Sequence, residues 1–289
     1  MIYVLYNPLA GNSTCEESCR DIGEIFSSDE IKYMDMLSID DLEGYIRGFR
    51  PEDMIVVCGG DGTLNYLINA IDTSELEQDI YYFPAGSGND FFRDIDEAGT
   101  KGVCRINMYL KCIPTVTVKG MTKLFLNNVG YGIDGYCCEE GDKKRITSPG
   151  KRVNYSTIAL KGLLYDFHRV NAKVTVDGVT KEYKDVWMSP AMNGRYMGGG
   201  MMCAPNQDRM NEDGLVSVIV VHSRLRMGLL LAFSSVFKGK HIKYKKLVTE
   251  IMGSDVEVEF DRPTALQIDG ETVTDVVSYR VHKEKKIIC

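Results

Sequence analysis

The 289 residues predict a chain of α/β plus all-β class: an open βαβ domain over 1–113, then an antiparallel β-rich domain over 114–289. Three observations carry this. The length suits two domains better than one. Strand and helix signals alternate through the N-terminal part. Beyond Cys112 the pattern turns to strand-like alternation with Asp-Gly turns, which sets the boundary at Pro114.

The elements follow in order. IYVLYN (Ile2–Asn7) is a strand. TCEESCRDIGEIF (Thr14–Phe26) is a helix with Cys15, Cys19, Ile22, Ile25 and Phe26 on one face. DDLEGYIRGF (Asp40–Phe49) is a second helix. DMIVVCGG (Asp53–Gly60) is a continuous apolar run, as a buried parallel strand requires. In TLNYLINAI (Thr63–Ile71), Leu64, Leu67, Ile68 and Ile71 fall at helical spacing. DIYYFPAG (Asp79–Gly86) is a strand and NDFFRDI (Asn89–Ile95) opens a helix. The second domain reads as strands over Thr115–Gly120, Lys123–Gly132, Ala172–Met192, Leu215–Ser223, Asp255–Glu271 and Val276–Glu284. Helical insertions interrupt it at Tyr155–Phe167 and Leu225–Lys240.

Composition narrows the function. A formal net charge of −7 argues against general nucleic-acid binding, which needs a basic surface. Nine cysteines without metal-like spacing read as reduced thiols of a cytoplasmic protein. The N-terminus reads as a strand, with no basic start of a signal peptide. The longest apolar run, GLLLAFSSVF (Gly228–Phe237), falls far short of the ~20 residues of a membrane span.

Two glycine turns carry the chemistry. In CGGDGT, Gly59, Gly60 and Gly62 let a ligand approach the backbone, and the following helix start favours an anion. In FPAGSGNDFFRD, Gly86 and Gly88 follow a second strand, with Ser87, Asn89, Asp90 and Arg93 beside them. Each alone could be a plain turn; together they flank the crevice where open α/β sheets bind ligands. NPLAG (Asn7–Gly11) is a weaker third wall. An acid, Asp61, stands in this anion loop where a phosphate cradle would be expected to hold a lysine.

GGDGT and PAGSGND, followed by NNVGYGIDG, GGGMMCAPNQDRMNEDGLV and LQIDGE, resemble the catalytic region shared by diacylglycerol kinases, sphingosine kinases and bacterial soluble lipid kinases. The resemblance runs along nearly the whole chain. It implies an ATP-binding α/β domain, a β-sandwich lipid-substrate domain and an active site in the cleft between them, with the last few residues returning to the first domain. It implies transfer of the ATP γ-phosphoryl group to a lipid hydroxyl with Mg²⁺. Asn7, Gly59, Gly60, Asp61, Gly62, Thr63, Gly86 and Ser87 would line the ATP site. Asp61 and Asp90 would organise Mg²⁺, and Arg93 would join that network. Asp269 would be the general base, with Glu271 beside it. Asp213, with main-chain oxygens of Leu215 and Met210, would hold a second, structural Mg²⁺. NPLAGN lacks the basic residue common in relatives, and Ser87 stands where threonine is commoner.

The acceptor expected first is diacylglycerol, giving phosphatidic acid for phospholipid biosynthesis. Sphingoid bases, phosphatidylglycerol and polyprenols remain alternatives, as does a soluble NAD kinase-type activity, which shares GGDGT. A nucleotide-binding regulatory protein without catalysis is the reading from another class. The expected partner is lipid at an anionic membrane surface, met peripherally from the cytoplasm; a homodimer is left open. Arg226–Lys246 joins an apolar stretch to five lysines from Lys238 to Lys246, which suits anionic headgroups; a core helix followed by a solvated basic segment is the plainer alternative. Lys143–Arg145 and Lys151-Arg152 could add to that surface.

Overall fold

The computed structural model describes residues 1–289 except 13, 27–29, 96–101, 149–152 and 286–289. The Lys151-Arg152 pair and the final residues therefore lie outside the described residues. The chain divides into two compact units. The first is Met1–Ile113 with Gly198–Gly200; the second is Pro114–Met197 with Met201–Cys289.

The first unit is built on strands β1 (Ile2–Tyr6), β2 (Ile31–Asp35), β3 (Met54–Gly59), β4 (Asp79–Pro84) and β5 (Cys104–Arg105), in sheet order β2-β1-β3-β4-β5. All neighbouring pairs are parallel except β4–β5. Its helices are α1 (Cys15–Ser18), α2 (Ile22–Phe26), α3 (Leu42–Arg47), α4 (Asp61–Ala70) and α5 (Asp90–Ile95). The helix expected over 14–26 is divided by a 3₁₀ turn at Cys19–Asp21, where the Cys19 thiol donates to Glu16 O at 3.1 Å. Its apolar stripe is nonetheless buried through Cys15, Cys19 and Ile22. Strand β2 was not foreseen. It pairs with β1 alone, at the sheet edge, and carries Lys32 and Asp35 rather than an apolar run.

The second unit has strands β6 (Thr115–Val118), β7 (Met121–Leu124), β8 (Asn128–Tyr131), β9 (Val170–Val176), β10 (Val179–Met188), β11 (Ala191–Met192), β12 (Tyr196–Met197), β13 (Met201–Met202), β14 (Val216–His222), β15 (Val248–Gly253), β16 (Asp255–Ile268) and β17 (Glu271–His282). β12 and β13 form a separate small hairpin; the rest share one antiparallel sheet. β16 is long enough to change partners. Val256–Phe260 pair with β9 and Leu266–Ile268 pair with β8, with register breaks around Pro263. The path β16-β8-β11-β14-β10-β9 thereby returns to β16 and encloses a valine-rich core, with Tyr131 stacked on Phe260 at 3.7 Å.

Three helices accompany this sheet: α6 (Ile133–Thr147), α7 (Tyr155–Lys161) and α8 (Arg226–Val236). α7 and α8 fall inside the expected insertions. α6 was not foreseen; Gly135 and Gly141 lie within it and disfavour a helix on propensity alone. Both are packing positions: a Cβ at Gly135 would stand 2.0 Å from Ala265 O, and one at Gly141 would stand 2.7 Å from the Tyr155 ring. Among the described residues, no helix is long and apolar enough to cross a membrane.

Candidate active site

In the first unit the parallel strands β1, β3 and β4 end together, and each ends in one of the loops marked by the sequence. Asn7, just past β1, donates from Nδ2 to Thr63 Oγ1 at 3.2 Å. Thr63 sits in the first turn of α4 and is buried. The loops after β3 and β4 touch through their glycines: a Cβ on Gly86 would lie 2.3 Å from Gly60 Cα. Gly59 is equally confined, because a Cβ there would lie 2.2 Å from Thr63 Oγ1. Gly62 differs. Nothing lies within 4 Å of its would-be Cβ, at the N-terminal turn of α4 where unbonded N–H groups favour an anion. Gly60 and Gly86 thus serve loop-to-loop packing, whereas Gly62 borders open space at the helix start. Ser87 is exposed on the same turn.

Asp61 reaches across to the other loop. Its Oδ2 accepts from Asp90 N at 3.0 Å and its Oδ1 from Phe91 N at 2.8 Å. A carboxylate from the β3 loop therefore caps the start of α5 and fixes one loop on the other. Asp90 is 6% exposed. Its Oδ2 accepts from Gly199 N at 2.7 Å, while its Oδ1 has no hydrogen-bond partner among the described residues. Burial pushes the Asp90 carboxyl up to about 6; the Gly199 N–H pulls it back and Asp61 pushes it further up. Gly198, Gly199 and Gly200 all have positive φ (60°, 81° and 114°), a run only glycine adopts readily. A Cβ on Gly200 would stand 3.2 Å from the Arg93 guanidinium carbon. The contact of Gly199 with Asp90 was not foreseen; the three successive glycines were its one signal.

In the second unit the Asp-Gly pair at 269–270 joins β16 to β17, with φ of 46° and 94°. The Asp269 carboxylate accepts from Leu126 N in a short bond, from Asn127 N at 2.8 Å and from Asn128 N at 3.0 Å. It ties the turn to the segment that leads into β8. Three of its roughly four acceptor positions are thus filled by backbone donors. Glu271 lies at the exposed start of β17, where its Oε2 accepts from Lys123 Nζ at 3.0 Å. Behind Asp269, the buried Arg209 donates to Leu126 O at 3.2 Å and to Asn127 Oδ1 at 3.0 Å.

The residues expected to hold a second cation, Asp213, Leu215 and Met210, lie in the second unit. The Asp213 side chain is exposed, 3.9 Å from Lys285 Nζ. Leu215 O accepts from Gln207 Nε2 at 3.0 Å and from Asn211 Nδ2 at 2.8 Å, and Met210 N donates to Asp208 Oδ1. Among the described residues no three His, Cys, Asp or Glu side chains gather as a metal cage. One orphaned oxygen on Asp90 does fit Mg²⁺, which commonly takes one or two carboxylates and draws its remaining ligands from phosphates and water.

Residues 1–112 match the diacylglycerol kinase catalytic domain, and residues 127–282 match the YegS C-terminal NAD kinase beta sandwich-like domain. The chain belongs to this lipid kinase family. As a lipid kinase it is a phosphotransferase, and ATP use follows from the family. It is 24% identical over 266 residues to a Mycobacterium tuberculosis protein named diacylglycerol kinase, covering 86% of this chain and 82% of that one. It is 25% identical over 236 residues to a Bacillus subtilis protein named "Putative lipid kinase YtlR", covering 75% and 73%. In fold it is similar to a crystal structure titled as a diacylglycerol kinase from Bacillus anthracis. The TM-score is 0.61 at 19% identity, over 98% of this chain and 93% of that one.

Proposed function

We propose that this lipid kinase transfers the γ-phosphoryl group of ATP to the hydroxyl of a membrane lipid, with diacylglycerol as the reference acceptor. The observation that carries the reading is the meeting of Asn7, Thr63, Asp61 and Asp90 at the ends of three parallel strands. The open face at Gly62 and the α4 N-terminus would receive the phosphates. Mg²⁺, when bound with the nucleotide, would be held by Asp90 Oδ1 and would neutralise phosphate charge. Asp61 would keep that acid in place, and Arg93 would add positive charge near Gly200.

The two acids of the DGE turn divide the remaining work. The acceptor hydroxyl forms the new P–O bond as the bond to ADP breaks, and its proton must pass to a base. Asp269 already serves three N–H donors, so we assign it the positioning of the turn and assign proton acceptance to Glu271. This departs from the sequence expectation, which placed the base at Asp269. Its physical reason is that three of roughly four acceptor positions on Asp269 already serve backbone N–H groups, which leaves it less to offer a substrate proton than Glu271.

Access to lipid is assigned to Arg226–Lys246. Leu225, Met227 and Phe237 are 73%, 69% and 50% exposed, and Lys238, Lys240, Lys243, Lys245 and Lys246 are all exposed. Apolar insertion beside lysines suits an anionic bilayer. Replacing the five lysines with serine is expected to abolish co-sedimentation with anionic vesicles while the fold stays intact; unchanged sedimentation would remove this surface from the account.

The function is tested by labelled γ-phosphate transfer from Mg-ATP in anionic mixed micelles. Diacylglycerol, sphingosine, phosphatidylglycerol, polyprenol and NAD are offered in parallel. Label on a lipid supports the proposal; label on NAD alone, or on nothing, overturns it.

A further inference from the structure

The hairpin that carries Asp269 and Glu271 has two faces. Next to the turn, β16 and β17 pair Ile268 with Glu271; one step back they pair Gln267 with Thr272. Cross-strand partners share a face and successive residues alternate. Gln267 and Thr272 therefore project to one side, and Ile268 and Glu271 to the other. On the Glu271 side stands Lys123 of β7. On the opposite side lies α6, so close to β16 that Gly135 has no room for a Cβ against Ala265 O.

Both hairpin residues on that side are bonded to α6. Gln267 is 3% exposed. Its Nε2 donates to Asp134 Oδ2 at 2.8 Å and to Asn128 Oδ1 at 2.7 Å, and its Oε1 accepts from Gly270 N at 2.6 Å. Because the Gly270 N–H only donates, the amide must turn its oxygen to the hairpin turn and its nitrogen to Asp134 and Asn128. Gly130 leaves space for this contact: a Cβ there would collide with Asp134 Oδ2 and stand 2.5 Å from Gln267 Nε2. About two turns further along α6, Asp142 Oδ2 accepts from Thr272 Oγ1 at 2.6 Å. The other oxygen of Asp142 accepts from Arg145 Nη1 at 3.0 Å.

We propose that Gln267 and Thr272 are positioning residues for phosphoryl transfer: through them Asp134 and Asp142 of α6 hold the back of the hairpin and fix where Glu271 stands when it takes the acceptor's proton. This rests on the reading of Glu271 as the base and adds how that base is aimed. Glu271 is exposed, and an exposed ion pair such as that with Lys123 holds a side chain only weakly. Asp269 anchors the tip of the turn to the segment before β8. Gln267 and Thr272 set the tilt of the hairpin on the helix. Neither touches the substrate.

Thr272 provides the test, because it is half-buried, whereas removing the buried Gln267 would also cost stability. Thr272→Val keeps the shape and removes the hydroxyl. It is expected to lower kcat about tenfold with KM for ATP within about twofold of the natural value, the scale of a displaced catalytic group. Thr272→Ser, which keeps the hydroxyl, should retain the natural kcat, and Asp142→Ala should match Thr272→Val. In a Glu271→Gln background Thr272→Val should cost nothing further, because it acts through Glu271. Amide hydrogen exchange supplies a readout that needs no catalysis: the Gly270 N–H, held by Gln267, should exchange about tenfold faster in Thr272→Val. An equal loss in Thr272→Ser, a full further loss in Glu271→Gln, or unchanged exchange at Gly270 would each overturn the proposal. A natural kcat in Thr272→Val overturns it alone; a natural sequence that transfers no phosphoryl group overturns the kinase reading and this proposal with it.

Discussion

Asp90 and Asp269 are both acids beside glycine turns, yet they are held in opposite ways. Asp90 is buried with one oxygen bonded to Gly199 N–H and the other orphaned. Asp269 is less buried and its carboxylate accepts from three backbone donors. The first arrangement costs stability in the absence of a ligand; the second supplies it. A motif acid can therefore be a ligand site or a brace, and the count of partners on each oxygen separates the two.

Asp269→Asn should have the largest effect on stability. The amide presents N–H toward backbone N–H groups, and loss of bonds to a charged acceptor should cost roughly 3 kcal/mol. A urea melt checks this; an unchanged midpoint would mean that Asp269 is no brace. Gly86→Ala is expected to cost about 2 kcal/mol, because the new Cβ meets Gly60 Cα at 2.3 Å and two backbones must part.

Asp90→Asn should act in the other direction. The folded protein holds the Asp90 carboxyl at about 6, above its ordinary value near 4. The folded state therefore binds the proton more tightly than the unfolded one. Its contribution to stability is greatest below pH 4 or so and falls as pH rises to about 6, then stays level. The variant should lack this decline and be more stable at pH 7.5 by on the order of 2 kcal/mol, while losing phosphoryl transfer. Subtracting variant from natural curves isolates Asp90 from Asp134, which is raised to a similar value. A variant less stable than the natural sequence at pH 7.5 would break the comparison.

The smallest change is expected at Gly62→Ala. Its Cβ meets open space and alanine favours a helix, so stability should shift by less than ~1 kcal/mol in the stabilising direction. KM for ATP should nonetheless rise if phosphate occupies that space. Paired with Gly86→Ala, it separates a glycine kept for packing from one kept for a ligand.

Much of this was legible in the sequence. The apolar run before Gly59 and the helical spacing from Leu64 to Ile71 set β3 and α4, and the two glycine loops identified the strand ends that matter. What escaped depended on tertiary contacts. Gly135 and Gly141 look like helix breakers until Ala265 and Tyr155 are seen against them. β2 and β15 escaped for want of a distinctive pattern of their own: β2 holds only a sheet edge, and β15 is a short strand beside β14. The resemblance placed Asp61 and Asp90 together at Mg²⁺ and Asp269 apart as the base, without saying how each carboxylate is held. Only their partners distinguish the cap of α5, the orphaned oxygen and the brace of the turn.

The most direct test compares two neighbouring acids. kcat for phosphoryl transfer and the melting midpoint would be measured together for Glu271→Gln and Asp269→Asn. If Glu271 takes the proton, Glu271→Gln should lower kcat by roughly 10²–10⁴-fold with an unchanged midpoint, while Asp269→Asn lowers the midpoint as well. Near-normal kcat in Glu271→Gln, with a stable but inactive Asp269→Asn, would return the base to Asp269 and contradict the division of roles.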